Sequence, residues 1–354
     1  MTLLEDIHAF IDADTHDEAR FNTLACQVFA HQCAEIPLVA ALAKRAGKGP
    51  GSISHWSEIP AVPASAFKAT QLFSGRDACR TFSSSGTSGA PKSQSAYSEE
   101  GLALMGASVR VNAARYLFPE GRTTRILVLA PSPEIAPQMI MAWGMDELIR
   151  VFGLEGSRFL IGAEGLDFKA VIGELQSAAD AQLPVTLIGA SFGFVHLLDG
   201  MREAGVRIEC APGSRTMDAG GYKGRSRALT RSELDSAIAE GLGVPASRAL
   251  NLLGMTELAS QFYDGVLARD SAEVRRKENA AWTATRVLGP ESLEPLAAGE
   301  RGLLMHVDLA NLERPAFVRT DDIGFWDADG FEVLGRAEGT GTRGCSLSVE
   351  ELVR

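Results

Sequence analysis

No stretch of about 18 apolar residues occurs along the chain, so no membrane-spanning helix is expected. Met1 to Asp14 carries acids rather than a basic segment ahead of a long apolar run. That reads as no secretory leader and predicts a cytoplasmic location. Cysteine is sparse: the 5 thiols, Cys26, Cys33, Cys79, Cys210 and Cys345, are odd in number and irregularly spaced. No disulfide framework and no metal-binding spacing emerges from them. Basic residues are outnumbered, 34 Lys and Arg against 45 Asp and Glu, for a net charge of −11. Such a surface argues against nucleic acid and against anionic membranes as partners. Internal repeats are absent. With 354 residues, 45% hydrophobic and 22% charged, the chain has ample material for a core, and its length suggests two domains.

The hydrophobic pattern predicts an α/β protein. Thr15-His16-Asp17-Glu18 reads as a capping box, followed by Phe21, Leu24, Ala25, Val28 and Phe29 at helical spacing. Gly47 to Ser52 breaks this helical region. Ile126 to Ala130 and Val185 to Ile188 are short apolar runs followed by turn signals, as buried strands of a largely parallel sheet would be. Thr230-Arg231-Ser232-Glu233 is a second capping box, opening a helix that stops near Gly241, and Leu303 to Leu309 suits a late strand. Strands alternating with helices indicate α/β layers.

The most informative stretch is Thr81 to Ser93, TFSSSGTSGAPKS. Gly86 and Gly89 allow positive φ and close backbone approach. Successive N–H groups and hydroxyls make an anion cradle, and Lys92 adds a mobile positive charge. The natural tenant is a polyphosphate. A Walker loop fits poorly, because Pro91 stands where a second glycine must present its N–H.

Ser84-Ser85-Gly86-Thr87-Ser88-Gly89-Ala90-Pro91-Lys92 resembles instead the phosphate loop of the adenylate-forming superfamily. Asp218-Ala219-Gly220-Gly221 looks like that superfamily's adenine-lining glycine pair, and Leu253-Gly254-Met255-Thr256-Glu257 like its Y-G-x-T-E motif. Arg319-Thr320-Asp321-Asp322-Ile323-Gly324, followed by Gly335-Arg336, looks like its R-T-G-D segment and hinge. The resemblance implies layered sheets and helices like the N-terminal domain of those enzymes, with ATP and Mg²⁺ as the small molecules bound. Glu257 is then the hard oxygen ligand for Mg²⁺. Met255 and Thr256 line the nucleotide, Asp322 accepts from the ribose hydroxyls, and Arg336 forks onto a phosphate or ribose oxygen. Two departures stand out. Leu253 replaces an adenine-stacking aromatic, and Asp321 replaces a glycine beside Asp322.

The chain stops at Arg354, shortly after the hinge, where adenylate-forming enzymes normally continue into a small mobile domain carrying a catalytic lysine. That layout is similar to one branch, the long-chain acyl-protein synthetases of the bacterial fatty-acid reductase system. Those enzymes load the acyl group onto a cysteine near the C-terminus. Ile59-Pro60-Ala61-Val62-Pro63 and Gly220-Gly221-Tyr222-Lys223-Gly224 also match that branch. The organisation expected is a helical lead-in over 1–75, an adenylate-forming core over 76–336, and a glycine-rich arm over 337–354 carrying Cys345. Lys223 is a candidate for the work of the missing lysine. Chemistry favours Cys345 independently: a thiolate captures a mixed anhydride well, Gly339, Gly341 and Gly344 loosen the arm, and Arg343 favours ionisation.

The expected activity is ATP-dependent formation of a fatty acyl-AMP, transfer to Cys345, and delivery to a partner such as an acyl reductase. Two other readings stay open: a ligase passing the acyl group to coenzyme A or a carrier protein, and a nucleotide-binding subunit without chemistry.

Overall fold

The computed structural model describes residues 2–84, 91–220 and 226–337. The chain forms two compact units, and neither is a continuous stretch. The first takes Met1–Val111, Met255–Gln261 and Glu278–Arg354; the second takes Asn112–Gly254 and Phe262–Lys277.

In the first unit, α1 (Leu3–Ala13) starts from a capping box between Thr2 and Glu5 and buries Ile7, Phe10 and Ile11 on one face. Helix α2 (Glu18–Glu35) buries Phe21, Leu24, Ala25, Val28 and Phe29, the apolar stripe expected of it, together with Gln32. Its cap differs from expectation. Asp17 accepts from the Arg20 N–H, while the Thr15 hydroxyl donates to the Ala13 carbonyl. No Thr15–Glu18 box forms, because a carboxylate one residue before the helix satisfies the same orphan donor. Pro37 cannot continue α2 and opens α3 (Pro37–Arg45) at 110° to it.

A five-stranded sheet carries the remainder of this unit: β1 (Val62–Pro63), β11 (Thr283–Leu288), β12 (Gly302–Asp308), β13 (Phe317–Asp327) and β14 (Gly330–Arg336). The path runs β1-β13-β12-β11, with β14 also paired to β13. Every residue of β12 is buried. A separate hairpin joins β2 (Arg80–Ser83) to β3 (Gln94–Tyr97), with α4 (Ala66–Ala69) before it and α5 (Glu99–Tyr116) after it.

The second unit is the parallel layer foreseen from the apolar runs. Its seven-stranded sheet has the order β10-β9-β8-β7-β4-β5-β6. The strands are β4 (Arg125–Pro131), β5 (Arg158–Gly162), β6 (Gly165–Leu166), β7 (Val185–Ala190), β8 (Arg215–Ala219), β9 (Ala249–Leu253) and β10 (Phe262–Tyr263). The β4–β5, β4–β7, β7–β8 and β8–β9 pairs are parallel, and only the edge strands β10 and β6 pair antiparallel. Helices α6 (Ile140–Phe152), α7 (Phe168–Asp180), α8 (Ser191–Glu203) and α9 (Arg231–Leu242) belong to it. The Thr230–Glu233 box does open α9, and Gly243 closes the helix with φ 67°, a left-handed cap suited to glycine. Leu127, Leu187, Phe194, Leu197, Leu234 and Ile238 share its core. Among the described residues no single helix is long and apolar enough to cross a membrane.

The core of the first unit includes a histidine. His306 on β12 is fully buried, hydrogen-bonded through Nδ1 to the Thr285 hydroxyl at 2.9 Å and packed on Phe331. Burial pushes its pKa down to about 3. The unfolded chain therefore takes up this proton first, so the contribution is complete above the unfolded value of about 6.5 and is lost as the pH falls toward 3. Denaturant titrations between pH 7 and pH 4 should show His306→Gln losing stability less steeply than wild type, the difference approaching about 1.4 kcal/mol per pH unit.

Candidate functional site

The β2–β3 hairpin presents the hydroxyl- and glycine-rich loop. Its strands pair up to Ser83 opposite Gln94, and two further bonds close the neck. The Ser84 N–H donates to the Ser93 carbonyl at 2.9 Å, and the Ser93 N–H donates to Ser84 Oγ at 3.0 Å. Ser84 thus ties the neck of the hairpin with an oxygen lone pair, and among the described residues its hydroxyl proton has no acceptor. Ser85, Gly86, Thr87, Ser88 and Gly89 lie outside the described residues. Lys92 is exposed at the descending end, and among the described residues it has no ion pair. A rigid floor supports the hairpin. The Phe82 and Tyr97 rings meet edge to face at 5.4 Å, and the Arg314 guanidinium lies 3.4 Å from the Tyr97 ring centroid. Burial pushes the Tyr97 hydroxyl up to about 12, against the opposing effect of Arg314.

The Met255–Gln261 segment belongs to the same unit. A turn closed by the Leu258 N–H on the Met255 carbonyl at 3.2 Å displays Thr256 and Glu257. Thr256 is buried and Glu257 half-buried. Among the described residues the Glu257 carboxylate carries neither an ion pair nor a hydrogen bond.

Asp322 and Arg336 stand opposite each other in the β13–β14 register, and Asp322 Oδ1 accepts from Arg336 Nε at 3.3 Å. Below them Thr320 Oγ1 receives the Asp322 N–H at 3.1 Å and donates to the Leu304 carbonyl at 2.9 Å. Burial raises the Asp322 pKa, and Arg336 offsets part of that rise. Asp321 points the other way along the pleat and is exposed. Of the adjacent carboxylates, Asp322 is the one fixed by neighbours. Cys345, with the rest of 338–354, lies outside the described residues.

In the second unit Gly220 follows β8 with φ 72°, a left-handed conformation that favours glycine. Gly221 and Lys223 lie outside the described residues. Sequence reasoning missed what surrounds Gly220. Asp218 on β8 is buried and accepts from the Ser191 hydroxyl at 2.7 Å, from Asn251 Nδ2 at 3.0 Å, and from Arg231. Arg231 also grips Asp235. Arg275 bridges Asp235 at 2.9 Å and Asp264 at 2.6 Å, while Lys277 Nζ donates to the Asn251 carbonyl at 2.7 Å. The Ser191 hydroxyl lies 2.9 Å from the Gly220 carbonyl as well. Burial opposes the charge on Arg231, but Asp218 and Asp235 more than offset it and its pKa is raised. Burial lowers that of Lys277. Two signals could have found this network: an aspartate inside the strand Arg-Thr-Met-Asp-Ala, and Arg231 and Asp235 one turn apart on α9.

A family model described as acyl-protein synthetase, LuxE, matches residues 51–353. The chain is 24% identical over 311 residues to the long-chain-fatty-acid–luciferin-component ligase of Aliivibrio fischeri, covering 84% of this chain and 79% of that protein. The Vibrio harveyi protein of the same description is 24% identical over 312 residues, with the same 84% and 79% coverage. Among solved structures, 2-hydroxyisobutyryl-CoA ligase with 2-HIB-AMP and CoA superposes with a TM-score of 0.63 at 14% identity, over 92% of this chain and 77% of that one. ATP-bound MatB from Rhodopseudomonas palustris gives 0.53 at 17% identity, over 84% and 56%. These likenesses show the shared fold of adenylate-forming ligases.

Proposed function

Because the chain belongs to the acyl-protein synthetase (LuxE) family and is accordingly a ligase, we propose that it activates a long-chain fatty acid with ATP and carries the acyl group on Cys345 as a thioester. The observation that supports this most is the span of the family match, 51–353, which includes both the phosphate loop and Cys345.

In the first step a fatty carboxylate oxygen attacks the α-phosphorus of ATP, and pyrophosphate leaves. Ser84, Ser85, Gly86, Thr87, Ser88 and Gly89 hold the phosphates with N–H and hydroxyl donors, and Lys92 meets the charge that grows on the leaving group. By motif, Gly220 and Gly221 of the second unit are the candidates for adenine contact; in the first unit Met255 and Thr256 are the candidates for nucleotide contact, Asp322 for the ribose hydroxyls and Arg336 for an oxygen beside them. Glu257, a half-buried carboxylate without a cationic partner among the described residues, fits Mg²⁺, which offsets triphosphate charge when bound. In the second step the Cys345 thiolate attacks the acyl carbon, AMP leaves, and the thiol proton goes to solvent or a base. Lys223, which follows the glycine pair in the matching motif, is the candidate contact for phosphate or carboxylate. The thioester keeps the acyl group activated for a protein acceptor such as an acyl reductase, and a free reactive thiol suits the cytoplasm.

Incubation with ATP, Mg²⁺ and radiolabelled fatty acids of graded length should leave hydroxylamine-sensitive label on the protein and exchange labelled pyrophosphate into ATP. Exchange without protein label, with product appearing only when coenzyme A is added, would replace this reading by a coenzyme A ligase. Neither exchange nor label with any carboxylate would remove the chemistry altogether.

A further inference from the structure

The turn bearing Glu257 is clamped from below by buried side chains that no motif includes. Asp308, fully buried at the end of β12, accepts from the Ala259 N–H at 2.9 Å, the Ser260 N–H at 2.7 Å and the Ser260 hydroxyl at 2.8 Å. It also accepts from the Ala310 N–H at 3.0 Å. Asn311, fully buried too, donates from Nδ2 to the Glu257 carbonyl at 2.8 Å and to the Pro315 carbonyl at 3.1 Å.

The orientation of that amide is dictated by its neighbours. Asn311 Oδ1 receives Arg314 at 2.5 Å, so Nδ2 must be the atom facing the carbonyls. Arg314 is itself fixed over Tyr97. Gln32 of α2 holds the same loop, donating to the Asn311 carbonyl at 2.8 Å and the Leu312 carbonyl at 3.1 Å, and accepting from the Ala316 N–H at 3.1 Å.

From these contacts we infer that Asn311 and Asp308 are positioning residues for Glu257. The Glu257 peptide is pinned at its own carbonyl by Asn311, and the chain just beyond it is pinned by Asp308. Among the described residues no hydrogen bond or ion pair holds the Glu257 carboxylate, so the bonds to the backbone at and just beyond it are what aim it. A cation site that uses a single protein carboxylate depends on such fixation, because no second protein ligand corrects its aim. The inference rests on the assignment of Glu257 to Mg²⁺ made above.

The test is equilibrium binding of ATP by calorimetry, with and without Mg²⁺, read as the ratio of the two affinities. Asn311→Asp keeps the size and the Oδ1 acceptor for Arg314, but it sets an oxygen against the Glu257 and Pro315 carbonyls. Its Mg²⁺ enhancement of ATP affinity should fall about tenfold, the scale of one or two lost hydrogen bonds, while metal-free affinity stays within about twofold. Glu257→Gln should lose the enhancement outright. Asn311→Ser, which keeps one donor on a shorter arm, should fall between wild type and Asn311→Asp, and it supplies the answer if Asn311→Asp does not fold. A folded Asn311 variant with the wild-type ratio, alongside a Glu257→Gln that has lost it, overturns the positioning role and leaves the function intact. A Glu257→Gln that retains the ratio overturns the metal assignment, and this inference with it.

Discussion

Cys345→Ser should abolish the hydroxylamine-sensitive acyl label and leave ATP–pyrophosphate exchange near the wild-type rate. Exchange reports only adenylation, which uses the phosphate loop and the carboxylate and needs no thiol. Serine lacks the ionisation that makes cysteine reactive near neutral pH, and any oxygen ester formed in its place resists neutral hydroxylamine. The remaining thiols provide the controls. Burial raises the pKa of Cys26 and Cys33, and it pushes Cys210 up to about 11, so each is mostly a protonated thiol at neutral pH. Cys79 is exposed at the entrance to β2, which makes it the competitor worth testing. Cys79→Ser should therefore keep full label. Label retained at a thiol in Cys345→Ser and lost in Cys79→Ser would move the acyl carrier to the base of the phosphate hairpin.

Local chemistry in the sequence predicted local structure well. The Ile126 to Ala130 and Val185 to Ile188 runs lie within β4 and β7, since strands covered on both faces leave nothing polar to interrupt them. The stripe on α2 is buried as its spacing required. Caps were legible only where a single candidate existed: Thr230 had no rival, whereas Thr15 lost to Asp17.

What stayed hidden is long-range. A scan along the chain does not reveal that Met255–Gln261 joins the first unit while its flanks on both sides belong to the second. Nor does it pair Gln32 with Asn311, or Asp308 with Ser260, because one buried polar residue carries no mark of its partner. The motif residues stand out in the sequence because hydroxyl, carboxylate and cationic side chains set among glycines carry a chemical signature of their own. The residues that hold Glu257 and Gly220 in place serve the backbone, and their spacing follows the fold.

The largest loss of stability is expected from Arg231→Met. Arg231 holds Asp218 and Asp235 together, with those side chains only 3% and 11% exposed. Methionine fills most of the volume but withdraws the charge that both carboxylates were buried against. Arg275 still reaches Asp235 at 2.9 Å, whereas Asp218 keeps only the Ser191 hydroxyl and the Asn251 amide among its described donors. Stranding one partner of a buried pair costs roughly 3–5 kcal/mol, whatever the intact pair contributes net. Thermal melting should therefore fall clearly for Arg231→Met, and less for Arg231→Lys, which restores charge without the planar fork. Burial already raises the Asp235 pKa, and losing Arg231 raises it further. Protonation then relieves the variant sooner than the wild type, so the deficit in melting temperature should narrow as the pH falls from 7 toward 5. If Arg231→Met melts with wild type at pH 7, the network is incidental packing. A fixed deficit at every pH would instead assign the loss to the missing hydrogen bonds and leave the stranded carboxylates without a role.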